Sequence, residues 1–151
     1  MANQIVTIVR NGLLAGTAYL GAQAIDRKIT GNRLDDTVLL GALAPLPDSF
    51  VRPAGVVMHF GNSVVASAAY ELVARDRLTG PGWWRGAVFI MIENLALYPL
   101  ALLERHHPAI RSGKLDSYRT WTAFAQQVWR HLAFGITLGT LPSSRTNHDH
   151  L

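Results

Sequence analysis

"WRHLAFGITLGTL", residues Trp129 to Leu141, is apolar enough for lipid, yet it opens with Arg130 and His131 side by side. Within the longer run Trp121–Leu141, only these two side chains are basic. A central Arg costs a membrane helix roughly 2.5–3.5 kcal/mol, and each Leu or Ile returns about 0.3–0.6. Such a helix is marginal alone and viable in a bundle that pairs its charge.

Three further runs share this design. Ile5–Ile25, Ala54–Ala74 and Gly86–Leu103 hold 18 to 21 residues each, near the roughly 20 needed to cross about 30 Å of hydrocarbon. Each is interrupted by polar groups: Arg10 in the first, His59 and Glu71 in the second, Glu93 in the third. A water-soluble bundle would carry a charged stripe on every helix. "GVVMHFGNSVVASAAY" and "GAVFIMIENLALYPLALL" have almost no residues for one. The expected fold is therefore an all-α, integral-membrane, up-down four-helix bundle.

Composition agrees. Of 151 residues, 49% are hydrophobic and only 16% charged, against about 25% charged in soluble domains. The mean hydropathy, +0.15, is modest because polar loops dilute the runs. The net charge of +4 comes from basic residues clustered between the runs, a pattern suited to lipid headgroups rather than a nucleic-acid groove. With no cysteine there is no disulfide, thiolate metal site or Cys nucleophile. "MANQIVTIVRNG" lacks a basic n-region, so the chain is expected to enter the membrane by its own helices.

The borders read as interfaces. "TGPGWWRG" is a Gly-Pro turn followed by Trp83, Trp84 and Arg85, and Trp121 opens the last run. In the long connection 26–53, Asp35 or Asp36 is placed to cap a short non-spanning helix ended by Pro45 and Pro47. Residues 143–151 read as a frayed tail. Arg27, Lys28, Arg33, Arg52, Arg105, Arg111, Lys114, Arg119 and Arg130 fall on one side, and Arg10, Arg75, Arg77, Arg85 and Arg145 on the other. This asymmetry places both termini outside.

Small residues four apart let helix backbones approach closely in lipid. Gly12 and Gly16 do this in run one. Runs two and four share H-x-x-x-small-x-x-x-small, as His59, Ser63, Ser67 and His131, Gly135, Gly139. The expected buried polar network is Arg10 with Glu71, and Glu93 with Arg130 and His131, His59 lying nearby. His131 should share a face with Gly135 and Gly139, and Arg130, about 100° away, should reach Glu93 on a flanking helix or snorkel toward a headgroup.

Together "GLLAGTAYLGAQAID", "HFGNSVVASAAY", "RGAVFIMIENLALYP" and "WRHLAFGITLGTL" resemble small bacterial four-helix inner-membrane proteins, the YagU-like proteins among them. The resemblance implies a multi-pass protein of the bacterial inner membrane and no particular mechanism.

No G-x-S-x-G, Walker loop or G-x-G-x-x-G is present, so no enzyme is expected. Glu104 and His107 have the i, i+3 spacing of half a di-iron site, without the second half; His148 and His150 sit in the tail. No metal or cofactor is expected. A b-type haem between His59 and His131 is the alternative, opposed by a depth offset of about 7 Å at 1.5 Å per residue. The leading functional expectation is a non-catalytic membrane protein acting by helix packing, as an accessory subunit of a larger complex or as a homo-oligomer. The other is a small transporter or proton-linked channel using Glu93, His59 and His131.

Overall fold

A computed structural model describes residues 2–143; Arg145, His148 and His150 lie outside the described residues. The described chain is all-helical, with no strand. Its elements are α1 (Ala2–Thr30), α2 (Asp36–Gly41), α3 (Asp48–Ala69), α4 (Gly82–Leu97), α5 (Pro108–Arg111) and α6 (Trp121–Thr140). A π-helical turn, Tyr70–Ala74, prolongs α3, and a 3₁₀-helical stretch, Tyr98–His106, prolongs α4.

The long helices outrun the apolar runs at several ends, because local backbone chemistry and not hydropathy sets where they stop. α1 continues past Asp26 to Thr30 and breaks at Gly31, whose φ of 69° is the left-handed value of a helix-ending glycine. α3 starts at Asp48, with Pro53 in its second turn, where the missing N–H would have faced Ser49. Asp35 caps α2, accepting hydrogen bonds from the N–H groups of Thr37 and Val38. α2 stops at Gly41, ahead of Pro45.

Cross-helix contacts fix the topology as up-down-up-down. The His59 ring meets the Gly16 carbonyl while the Ser67 hydroxyl donates to Ile8 O at 2.9 Å, so α3 runs antiparallel to α1. Arg130 meets Asp26 while the Asn11 amide donates to Pro142 O at 3.0 Å, so α6 also opposes α1. On α4 and α6, Gly82 faces Gly139 and Gly86 faces Gly135. Around the bundle the order is therefore α3, α1, α6, α4.

Small residues make these crossings possible. A Cβ on Gly86 would lie 2.1 Å from Gly135 O, and one on Gly139 would lie 2.1 Å from Gly82 O. A Cβ on Gly12 would meet the α3 backbone at Val64 Cα, 2.7 Å away, and one on Gly16 would strike the Ser63 hydroxyl. The packing residues Gly12, Gly16, Ser63, Ser67, Gly135 and Gly139 thus all work within one chain. Gly41 and Gly55 do the same for α2 against α3, since a Cβ on Gly55 would stand 1.6 Å from Thr37 O.

α1 and the continuous segment Gly82–His106 are long and apolar enough to cross a membrane. α3 and α6 do not meet that measure: their inward faces carry His59, Ser63 and Ser67, or Gln126, Gln127 and Arg130. Outward, Val57, Val65, Ile92, Leu102 and Ile136 stand exposed around the bundle.

Candidate functional site: a polar-floored cleft between two helices

α3 and α4 touch near one end, where the Tyr70 and Phe89 rings lie 5.5 Å apart, and separate toward the other. The gap is a cavity of about 620 Å³. α3 supplies one wall through His59, Asn62 and Ala66, and α4 the other through Ile90, Glu93 and Asn94. Tyr19 of α1 and Gln127, His131 and Phe134 of α6 form the floor, while α2 and the 3₁₀ stretch close the end with leucines.

Beneath this end lies the charge cluster that explains Arg130. Its side chain is fully buried. Nε and Nη2 donate to the two carboxylate oxygens of Asp26 at 2.6 and 2.7 Å, and Nη1 donates to Asp36 Oδ2 at 2.9 Å. Nη2 also donates to Leu34 O at 3.1 Å. The expectation that Arg130 pairs with Glu93 is therefore corrected. Arg130 and His131 are indeed about 100° apart, but Arg130 points at α1, whereas Glu93 lines the cleft on α4. Asp26, the partner of Arg130, sits one helical turn from the end of α1.

Asp36 is the hub. It accepts from the Tyr19 hydroxyl at 2.5 Å, the Tyr118 hydroxyl at 2.8 Å, Gln127 Nε2 at 3.1 Å and Arg130. Burial pushes its carboxyl up, but the Arg130 guanidinium and the two phenol donors outweigh that and hold it below the usual range. Burial, reinforced by the Asp36 charge, raises the Tyr118 phenol far above its ordinary value, which keeps it a donor. Next door, Asp35 takes Arg27 at 2.6 Å and Arg52 at 2.9 Å.

His59 and His131 both face the cleft. His59 Nε2 donates to Gly16 O at 3.1 Å, which leaves Nδ1 as its acceptor. His131 Nδ1 donates to Gln127 O at 2.7 Å, which leaves Nε2. The Tyr19 ring packs against both imidazoles, with centroids 5.1 and 5.2 Å away.

Glu93 is half-buried in the α4 wall, and no described residue makes a hydrogen bond or ion pair with its carboxylate. Beside it Asn94 is 4% exposed, and its Nδ2 is a buried donor without a partner. The other two carboxylates of the lining are engaged. Asp36 has its four donors, and Glu104 accepts from the Ser117 hydroxyl and the Tyr118 N–H, each at 2.7 Å.

At the opposite end of the bundle Glu71 is buried and its cation is Arg75, four residues on, across the π turn. This corrects the pairing of Glu71 with Arg10. Arg10 is exposed, because it lies about 200° around α1 from the inward-facing Gly12. Ser143 Oγ donates to Glu71 Oε2 at 3.1 Å, and Arg85 donates to Arg75 O at 2.9 Å. Trp83, Trp84 and Trp121 are exposed.

Glu104 and His107, the di-iron candidates, serve the backbone. His107 Nδ1 caps α5 and its Nε2 donates to Leu39 O at 2.9 Å, tying the 3₁₀ stretch to α2. Among the described residues no three His, Asp or Glu side chains assemble as a metal site would require.

Sequence reasoning missed Tyr19, Asp36, Asn94, Tyr118 and Gln127 as parts of the site. A signal for some of them existed: Gly12, Gly16, Tyr19, Gln23 and Asp26 recur at alternating intervals of four and three, one face of α1. Compared with protein-family models, curated proteins and solved structures, the chain matches none.

Proposed function

We propose that this chain is a four-span integral protein of the bacterial inner membrane that takes a small lipophilic molecule from the bilayer into the α3–α4 cleft, as a small transporter does. The observation that carries the reading is the cleft: an apolar enclosure of about 620 Å³ whose floor and two walls bring together Glu93, His59 and His131. That volume falls within the roughly 300–1,000 Å³ of small-molecule sites, which are likewise mostly apolar with few polar groups.

Several features support the membrane setting. Two helical segments have the length and hydropathy of spans, and the outward faces of α3 and α6 present Val57, Val65 and Ile136. Because α4 and α6 run antiparallel, Trp83 and Trp84 mark one end of the bundle and Trp121 the other, as interfacial belts do. The resemblance to YagU-like proteins supports the bacterial inner membrane as its place. A pure packing role, as accessory subunit or homo-oligomer, drew its motive from the Gly12/Gly16 and Gly135/Gly139 seams. Those seams are filled by α3 and α4 of the same chain, so they leave no glycine groove for a partner.

The test uses membranes and then purified protein. Carbonate extraction should leave the chain in the membrane fraction. In detergent, the neutral fluorophore phenylnaphthylamine should brighten saturably with wild type and not with Asn62→Trp, which places an indole at the exposed edge of the cleft. Release by carbonate, or equal fluorescence from both proteins, would overturn the proposal.

A further inference from the structure

The charges lining the cleft are one-sided. Asp36, Glu93 and Glu104 contribute carboxylates, and no Lys or Arg is among the lining residues. The guanidinium of Arg130 lies behind Asp36 and is spent on Asp26 and Asp36, and that of Arg105, outside the lining, donates to His106 Nε2 at 3.0 Å. Of the three carboxylates, Glu93 alone meets no described donor, although it is half-buried in an apolar wall. A carboxylate so placed lacks the counter-charge that makes burial tolerable.

The other groups facing the cavity extend the pattern. Of the four lining histidines, His59 and His131 each give a proton to a backbone carbonyl, so each turns its other nitrogen away from that bond, while His106 accepts from Arg105 and His107 is held between Leu39 O and the Ala109 N–H. Tyr19, Tyr98, Tyr118 and Phe134 add aromatic rings, whose faces attract cations. An independent observation marks the same spot as a place for a ligand: Asn94, adjacent to Glu93, is buried with its amide nitrogen unpartnered. A native interior rarely leaves such a donor idle.

We infer that the cleft selects lipophilic organic cations over neutral or anionic molecules of the same size, with the Glu93 carboxylate as the counter-charge. The Asn94 Nδ2 beside it is a donor, left for an acceptor atom of the bound molecule rather than for its cationic centre, and the leucine-rich end takes the apolar body. The inference rests on the cleft being a small-molecule site, as proposed above, and adds the sign of the charge it accepts.

A pair of ions of matched shape and opposite charge tests it on the intact protein. Tetraphenylphosphonium and tetraphenylborate are each titrated into purified protein, with Asn62→Trp as the reference for uptake by detergent. The expected result is saturable binding of the phosphonium and none of the borate. Glu93→Gln should weaken phosphonium binding by about tenfold or more, the scale of losing a desolvated counter-charge, while phenylnaphthylamine still binds. Equal binding of the two ions, or phosphonium binding unchanged in Glu93→Gln, would overturn the inference. Because the ion pair is compared on wild type, the test stands even where Glu93→Gln fails to fold. Phenylnaphthylamine bound without phosphonium binding would sink the cation selectivity and leave the small-molecule site. Neither probe bound would sink both.

Discussion

Replacing Arg130 by Met removes the guanidinium and keeps much of its apolar stem. Arg130 is fully buried and holds Asp26 through two hydrogen bonds and Asp36 through a third. Without it two buried carboxylates face each other's surroundings with no cation, and the Leu34 carbonyl loses a donor. Breaking a buried pair from one side costs about 3–5 kcal/mol. For a domain of this length, at roughly 2–4 °C per kcal/mol, Tm should fall by about 6–20 °C. Thermal melts by circular dichroism in one fixed detergent read this directly. The comparison variant is Glu93→Gln, expected to leave Tm within a few degrees because its carboxylate has no described partner. Adding Asp26→Asn and Asp36→Asn to Arg130→Met should recover part of the loss, since the orphaned charges are then gone. A loss below about 1 kcal/mol for Arg130→Met, or an equal loss for Glu93→Gln, would refute the assignment of Arg130 to Asp26 and Asp36.

The glycine crossings make an opposed pair of predictions. Gly86→Ala puts a methyl group 2.1 Å from Gly135 O, so α4 and α6 must part, at a cost of about 1–3 kcal/mol; Gly61→Ala meets open space on α3 and should stabilise by about 0.5–1 kcal/mol. Melts of both variants check the signs. Asp36 also predicts a pH dependence. Its carboxyl is held below its ordinary value in the folded protein, so its stabilisation is complete above the unfolded value of about 3.9 and is lost as pH falls through the folded value. Between about pH 5 and pH 3 wild type should lose more stability than Asp36→Asn, and parallel curves would count against the hub.

Much of the fold was legible along the chain. Hydrophobic runs of helical length, a cap at Asp35 or Asp36, the Gly-Pro turn before Trp83 and the four-residue spacing of small residues are all local signals. They depend on propensity, backbone sterics and periodicity within a few turns, which any sequence displays. The all-helical architecture follows from them, as does the close approach of helices at Gly12, Gly16, Gly135 and Gly139.

The pairing of the charges was not legible, and neither was the cleft. Arg130 meets partners 104 and 94 residues earlier in the chain. A reading confined to the apolar runs looked for its carboxylate inside another run and found Glu93. Asp26 and Asp36 fell in the connection instead, and only the folding of that connection over the end of the bundle brings Asp36 under Tyr19 and Tyr118. Glu71 took the cation nearest to it across a π turn that hydropathy does not announce. Tyr19, Asn94 and Gln127 likewise gain meaning only when α1, α4 and α6 converge on one cavity. Which helices turn a given side chain toward each other depends on rotation about the helix axis. Close contacts such as Gly86 against Gly135 set that rotation, and a one-dimensional sequence records the periodicity of a face but not the identity of the face it meets.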